Sequence, residues 1–423
     1  MAQSGGSRSR KQSKEDLFFH QKKDWSRTKD RVVGAYAVPY LEKVKKRDAP
    51  ILLIDPFAGP GRFVADGAPG SPLLLTGIAE RIVPGRYKAI FGNKRLRSHQ
   101  KLTTTLSNLI DRKVVETHLL DADALLLNMG AKLGRATVFL YLDPFGLPPA
   151  FARLRPFLER QASTEILLNL PPSAIARHAS MGPMTGQIEA LHTRLTQVLG
   201  SEYWRGVFER PDIDQDEKLA RVMRDYYARI RKFLPYSGTC PIRQREGAAA
   251  KYHMTFFSGH PDSPVIYNDV MRKAYREGLY YAWAKGTLFE GTDELLDDRE
   301  RDVNKLQVLV VEMLQAGGRE SRMRLWREIV DSHFMEYSSS DFIRAVRLLS
   351  EQQRIGFEDV KGTGRLNDDA VLYIKKRAPG SPPAPTSVPP PYLKSWSLPG
   401  QIDVTVEEVK LPAPAPMPEP EDV

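Results

Sequence analysis

The chain has 423 residues, 41% of them hydrophobic and 27% charged, with a formal net charge of +10 and a single cysteine. That length and apolar content fit a soluble globular protein of two or three domains, and no apolar run approaches the ~20 residues a membrane span needs. The lone Cys240 excludes an intrachain disulfide framework and a Cys-cluster metal site, so a reducing cytoplasm is the simplest expected location.

Residues 1–14 are rich in Ser, Gly, Lys and Arg and read as a disordered basic arm with no apolar signal region. Residues 1–47 hold 13 Lys/Arg against 5 Asp/Glu, so +8 of the +10 sits there and only +2 is left for the rest. Such a segment suits phosphate or an acidic partner, or serves as a solubilising arm and a solvated helix face. Trp25, Val32, Val33, Tyr36, Tyr40 and Val44 then recur three and four apart. This predicts a helix over 24–44 whose aromatics pack in the core.

The period next changes. "ILLIDPF" (51–57), "YKAIFGN" (87–93), "VVETHLLDAD" (114–123), "ATVFLYLDPFG" (136–146) and "TEILLNLPP" (164–172) are short, near-continuous apolar runs. Helix-length segments lie between several of them, at 71–83, 95–110 and 149–161. Strands buried on both faces and alternating with helices predict an α/β fold, a Rossmann-like doubly wound parallel sheet. The expected domain spans 15–300, with a helical insertion at about 182–232 interrupted by "YWRGVFERPDIDQDE" (203–217). Two extended segments within 233–261 predict an antiparallel edge pair, followed by a helix from Pro264.

Residues 301–377 predict a separate unit of three helices and a hairpin, the order of a winged helix-turn-helix. Ser338 or Ser339 is the candidate N-cap of its third helix. In that helix Phe342, Val346 and Leu349 are expected in the core, which turns Arg344 and Arg347 toward nucleic-acid phosphates. The unit carries 14 Lys/Arg against 12 Asp/Glu, so a protein-docking role stands equally open. Residues 378–423 are dominated by Pro, Ala and Ser and read as a disordered or polyproline-like tail.

The first apolar run ends in "DPFAGPG" (55–61). In a doubly wound sheet the carboxyl end of the first strand borders the ligand crevice. Gly59 and Gly61 let a ligand approach the backbone, or simply let the chain turn. Asp55 places an acceptor at the strand tip, or caps the loop. The third glycine of G-x-G-x-x-G is missing, and so is a G-x-x-x-x-G-K-[ST] loop, which disfavours dinucleotide and nucleoside-triphosphate cofactors. Ser71 is the expected N-cap of the next helix, with Pro72 at its first turn. His178, His253 and His260 show no metal-ligand spacing with carboxylates, so no metal is expected.

Strand, acid, aromatic and "AGPG" together resemble the first motif of Rossmann-like S-adenosylmethionine-dependent methyltransferases, in the form found in amino-methylating DNA enzymes. The resemblance implies S-adenosylmethionine as cofactor, with Asp55, Phe57, Gly59 and Gly61 on its methionine side. Asn93 stands where those enzymes carry an acid for the ribose hydroxyls. Asp121 and Ala122 fall where the adenine is faced. "LYLDPFG" matches the Asp/Asn-Pro-Pro-aromatic motif in part, which implies Asp143 and Pro144 hold the acceptor amine while Phe145 stacks on a base. Asp143 also reads as a turn-capping acid ahead of Pro144, and "NLPP" (169–172) as a substitute motif or a rigid stop.

"DPFAGPGRF", "GSPL" (70–73), "LDPFGL" (142–147) and "YHMTFFSGHP" (252–261), with a C-terminal winged helix, resemble the three-Cys-motif partner protein family (TcmP) over about residues 15–375. That implies a methyltransferase-like protein working with a separate protein that carries three cysteines. Two other readings remain. One is a catalytically degenerate shell that binds nucleic acid or protein. The other is a metal-dependent nuclease using Asp55 and Asp143, which leaves the glycines unexplained.

Overall fold

The computed structural model describes residues 22–179, 185–243, 250–284, 299–360, 362 and 366–375. The basic arm and the Pro-rich tail lie outside the described residues.

The chain opens with helix α1 (Asp24–Val44) and strand β1 (Ile51–Asp55). Helix α2 (Ser71–Ile82), β2 (Tyr87–Gly92), α3 (Leu96–Thr105), α4 (Ser107–Asp111) and β3 (Val115–His118) follow. Then come α5 (Ala122–Gly130), β4 (Thr137–Leu142), α6 (Phe151–Leu158), β5 (Thr164–Leu170) and α7 (Pro172–His178). Helices α8 (Gly186–Leu199), α9 (Tyr203–Phe208) and α10 (Gln215–Arg231) lead to β6 (Tyr236–Ile242) and β7 (Tyr252–Ser258). Among the described residues these strands form one seven-stranded sheet in the order β3-β2-β1-β4-β5-β7-β6. Strands β1 to β5 are parallel, while β7 runs antiparallel to both β5 and β6. This mostly parallel sheet flanked by helices is a Rossmann-like α/β arrangement.

The continuous apolar runs have a simple cause. Alternate residues of a strand face opposite sides, and here both sides are covered. Leu52, Ile54, Val138, Leu140, Ile166 and Leu168 pack on one face with α5, α6 and α8–α10. Ile51, Leu53, Phe139, Tyr141 and Leu167 pack on the other with α1 and α2. The stripe of α1 is buried as expected, with Val32, Val33, Tyr36 and Tyr40 at 0% exposure. Tyr36 stacks on Tyr267 at 3.8 Å between ring centroids, and both hydroxyls donate to the buried Glu165, at 2.6 and 2.8 Å. Tyr267 belongs to helix α11 (Ser263–Ala284), so this carboxylate ties α1, β5 and α11 together.

Three sequence expectations change. The interruption expected over 203–217 is narrower, because α9 occupies Tyr203–Phe208 and Trp204 is buried. The segment read as an inserted lobe sends Trp204, Val222 and Tyr226 into the same core as β1 and β4. Ser71 caps nothing: Gly70 is the N-cap of α2 and offers no side chain.

Beyond α11 come α12 (Arg299–Gly317), β8 (Arg319–Ser321), α13 (Arg322–Ser332), α14 (Ser339–Glu351), β9 (Ile355–Glu358) and β10 (Val371–Ile374). The short strand β8 was not legible in the sequence. It pairs with β10, giving a sheet of order β8-β10-β9. Ser338, rather than Ser339, caps α14 by accepting from the Asp341 amide. Asn268 and Asp269 of α11 bond to Tyr337 O and Ser339 N, at 2.8 and 3.0 Å, and so fix where α14 begins. No helix of the described residues is long and apolar enough to cross a membrane.

Candidate functional site

Strand order reverses between β1 and β4, and their carboxyl ends lie side by side. A crevice opens at such a switch point. The loop after β1 fills its floor. Gly59 and Gly61 adopt φ of 62° and 84°, in the left-handed region. A Cβ on Gly61 would stand 3.0 Å from Leu102 Cδ1 of α3. Glycine is therefore required there both by the turn and by close packing.

Asp55 holds this loop rather than facing outward. It is 0% exposed. Its Oδ1 accepts the Phe57 amide at 2.8 Å and its Oδ2 accepts the Ser71 hydroxyl at 2.7 Å. That bond is what Ser71 does in place of capping. Burial pushes the Asp55 carboxyl up to about 7, against the two hydrogen bonds, which pull it down. Asn93 is 6% exposed and donates from Nδ2 to Gly59 O at 2.9 Å. A carboxylate has no proton for that bond, so the amide is the group the loop requires. Asp121 caps α5, accepting from the Ala124 amide at 2.9 Å, and Ala122 is buried in its first turn.

Phe57, Gly61, Asp143, Pro144 and Phe145, all expected from the sequence, line one cavity at the crevice. Asp55, Gly59, Asn93, Asp121 and Ala122 lie outside that lining. The cavity encloses about 40 Å³ and opens to solvent. That is room for a few waters. Helix α1 contributes Ser26, Lys29 and Asp30, and β7 contributes Tyr252.

Asp143 is held from two sides. Lys29 Nζ forms an ion pair with its Oδ2, and Asn169 Nδ2 donates to its Oδ1 at 2.7 Å. Lys22 in turn pairs with Asp30 and donates to Pro69 O. Lys22, Lys29, Asp30 and Asp143 thus form a charge-balanced cluster where α1 crosses the crevice. Burial pulls the Lys29 ammonium toward losing its proton, but Asp143 and Asp30 outweigh it, and the net shift is upward. Burial raises Asp30, and Lys29 and Lys22 partly offset that. Asn169 is 0% exposed, and its Oδ1 has no partner among the described residues.

Sequence reasoning missed Lys29 as a site residue. A signal was there: Lys29 falls between Trp25 and Val32 on the buried stripe, where a charge needs a partner. Arg344 and Arg347 sit far along the chain on α14, both exposed, while Phe342, Val346 and Leu349 are buried. They line no part of the cavity. Among the described residues no group of His, Cys, Asp and Glu is placed to hold a metal ion.

No family model matches the chain, and no curated protein matches it. A crystal structure of a "putative rRNA-methylase" from Clostridium thermocellum is similar at 9% identity and a TM-score of 0.25, covering 52% of this chain and 95% of that one.

Proposed function

We propose that the chain is an S-adenosylmethionine-dependent methyltransferase whose acceptor is an amino group. The observation that carries this is the convergence of the Gly61 loop with Asp143, Pro144 and Phe145 in one crevice at the β1/β4 switch point. The residues fit the cofactor in two respects: the loop residues Phe57, Ala58, Pro60 and Gly61 line the space beyond β1, and carboxylates of Asp143 and Asp30 line the same space, where a sulfonium would need them. When bound, that group supplies an already activated methyl.

The protein then has to align the acceptor and remove its proton. Asp143 is the group for both tasks. Asn169 fixes one carboxylate oxygen, and the other is paired with Lys29, an ammonium standing where an acceptor amine would be held. Lys29 must yield that oxygen for an acceptor to enter. Phe145, half exposed at the rim, is available to stack on a planar acceptor. A separate three-cysteine protein is the proposed partner, and residues 301–377 are the proposed winged helix.

Calorimetric titration with S-adenosylmethionine, repeated on Gly61→Trp, tests the proposal. Heat seen for the native chain and lost in the variant is the expected result. No heat at millimolar cofactor from a folded protein, with or without the partner, overturns it. A second reading, a degenerate shell that binds nucleic acid, is favoured by the exposed Arg344 and Arg347 on α14.

A further inference from the structure

From Arg81 to Ile110 the chain has no Asp or Glu, and it carries seven Lys/Arg. Lys88 of this run is paired with Glu116. Lys94, Arg97 and Lys101 are all exposed, and among the described residues none of the three forms an ion pair or a side-chain hydrogen bond. Arg97 and Lys101 are four residues apart on one face of α3, and Lys94 lies two residues before that helix begins. Leu102 on a neighbouring face of α3 packs against Gly61 of the cavity loop. The cationic face therefore flanks the crevice. Arg62, exposed and lining the cavity, continues it inward. The exposed or half-exposed acids nearest this face are engaged: Asp66 pairs with Arg27 and Asp121 caps α5, while Asp30 and Asp143, which line the cavity with Arg62, pair with Lys22 and Lys29.

We propose that the Lys94–Arg97–Lys101 face, with Arg62, seats the phosphate backbone of a single-stranded nucleic acid. Lys94, Arg97 and Lys101, with Arg62, whose Nη1 donates to Gly67 O at 3.0 Å but which has no acidic partner among the described residues, match a polyanion with regular charge spacing. Exposed apolar groups beside them, Leu96 at 56%, Val64 at 60% and Phe145 at 50%, offer surface on which bases can lie. The preference for a single strand comes from the crevice. Asp143 and Phe145 line a recess rather than a flat face, and a base has to leave its stack to bring an amino group into such a recess. The backbone seat stands independently of methyl transfer. Only the direction of the base, toward Phe145 and Asp143, rests on the function proposed above.

The test is fluorescence anisotropy of the full chain with labelled 12-nucleotide single-stranded RNA and DNA of mixed sequence, between 50 and 200 mM NaCl. The variants are Arg97→Glu/Lys101→Glu and a charge-matched control, Arg81→Glu/Arg86→Glu, at the opposite end of β2. The first pair should weaken binding at least tenfold at 100 mM salt. It should also flatten the slope of log K against log salt by roughly 1.4, two contacts at ~0.7 each. The control pair should change both far less. Equal loss from both pairs, no loss from the first, a duplex bound as tightly as the single strand, or equal competition by polyglutamate each overturns the proposal. Calorimetry with S-adenosylmethionine on the same samples separates the readings. Nucleic acid bound without cofactor heat removes the methyltransferase reading and leaves the seat. Cofactor heat without nucleic-acid binding does the reverse.

Discussion

The ion pair between Lys29 and Asp143 sets the first expectation. Their side chains are 7% and 20% exposed. Removing one member of a buried pair leaves the other without compensation and costs ~3–5 kcal/mol. Asp143→Asn keeps the shape and can still accept from Asn169, and Asp30 remains near Lys29, so the loss should fall at the low end, about 3 kcal/mol. Lys29→Met removes the ammonium but leaves Asp143 bonded to Asn169 and touching water, at about 2 kcal/mol. The double variant loses the same pair once. It should cost about 3 kcal/mol rather than about 5, a coupling near 2 kcal/mol. Urea unfolding of the four proteins at pH 7.5 measures this from midpoints at constant m. Because the pair is buried, the coupling should persist in 0.5 M NaCl, where an exposed pair is screened. Additivity within ~0.5 kcal/mol, or a coupling abolished by salt, would refute the reasoning.

Four further outcomes follow from individual residues. Asp55 holds its proton to about 7 in the fold, against ~3.9 unfolded, so the native state binds more protons between those values. The Asp55 contribution to stability is full below the lower value and is lost as pH rises toward 7, by an amount on the order of 4 kcal/mol. Asp55→Asn should flatten that slope in urea melts from pH 4 to 8, and an unchanged slope counts against the buried acid. Gly61→Ala should cost ~1–2 kcal/mol from its positive φ alone and weaken S-adenosylmethionine binding in calorimetry. Asn93→Asp loses the donor to Gly59 O, at ~1–3 kcal/mol. If it instead strengthens cofactor binding, Asn93 is a ribose ligand and the loop-clasp assignment fails. Arg344→Glu/Arg347→Glu should leave the melting temperature within about 2 °C, as exposed substitutions do. A larger drop would mean that these arginines are structural.

The sheet was legible because burial on both faces leaves a direct trace: five apolar runs, each ending where a crevice-side loop begins. The C-terminal strand β8 left no such trace. Three residues between Gly318 and the start of α13 carry "RES", exposed or half-buried, and they become a strand only because β10 offers an edge. Tertiary pairing decided that element, and no local pattern could. The helices α8–α10 failed differently. Their periodicity was visible, but whether their apolar faces meet each other or the sheet depends on contacts far away in sequence, such as Trp204 and Tyr226 against the core of β1 and β4.

The site shows the same division on a smaller scale. The motif residues fall into two rings with different tasks. Asp55 bonds Ser71 and the Phe57 amide, and Asn93 bonds the Gly59 carbonyl, so the inner ring sets the loop's shape before any ligand arrives. Lys29, Asp143 and Asn169 form the outer ring, where the charge is. A sequence motif gives the position of an acid but not the direction it faces, and direction separates a ligand from a clasp. Asn93 makes the point most sharply. Read against an acid-bearing motif it looks like a defect. With the Gly59 carbonyl 2.9 Å away it is the one side chain of that size and shape that can donate where a carboxylate cannot. The departure at β2 therefore bears on how the glycine loop is fixed. Any test of catalytic competence belongs with Lys29 and Asp143.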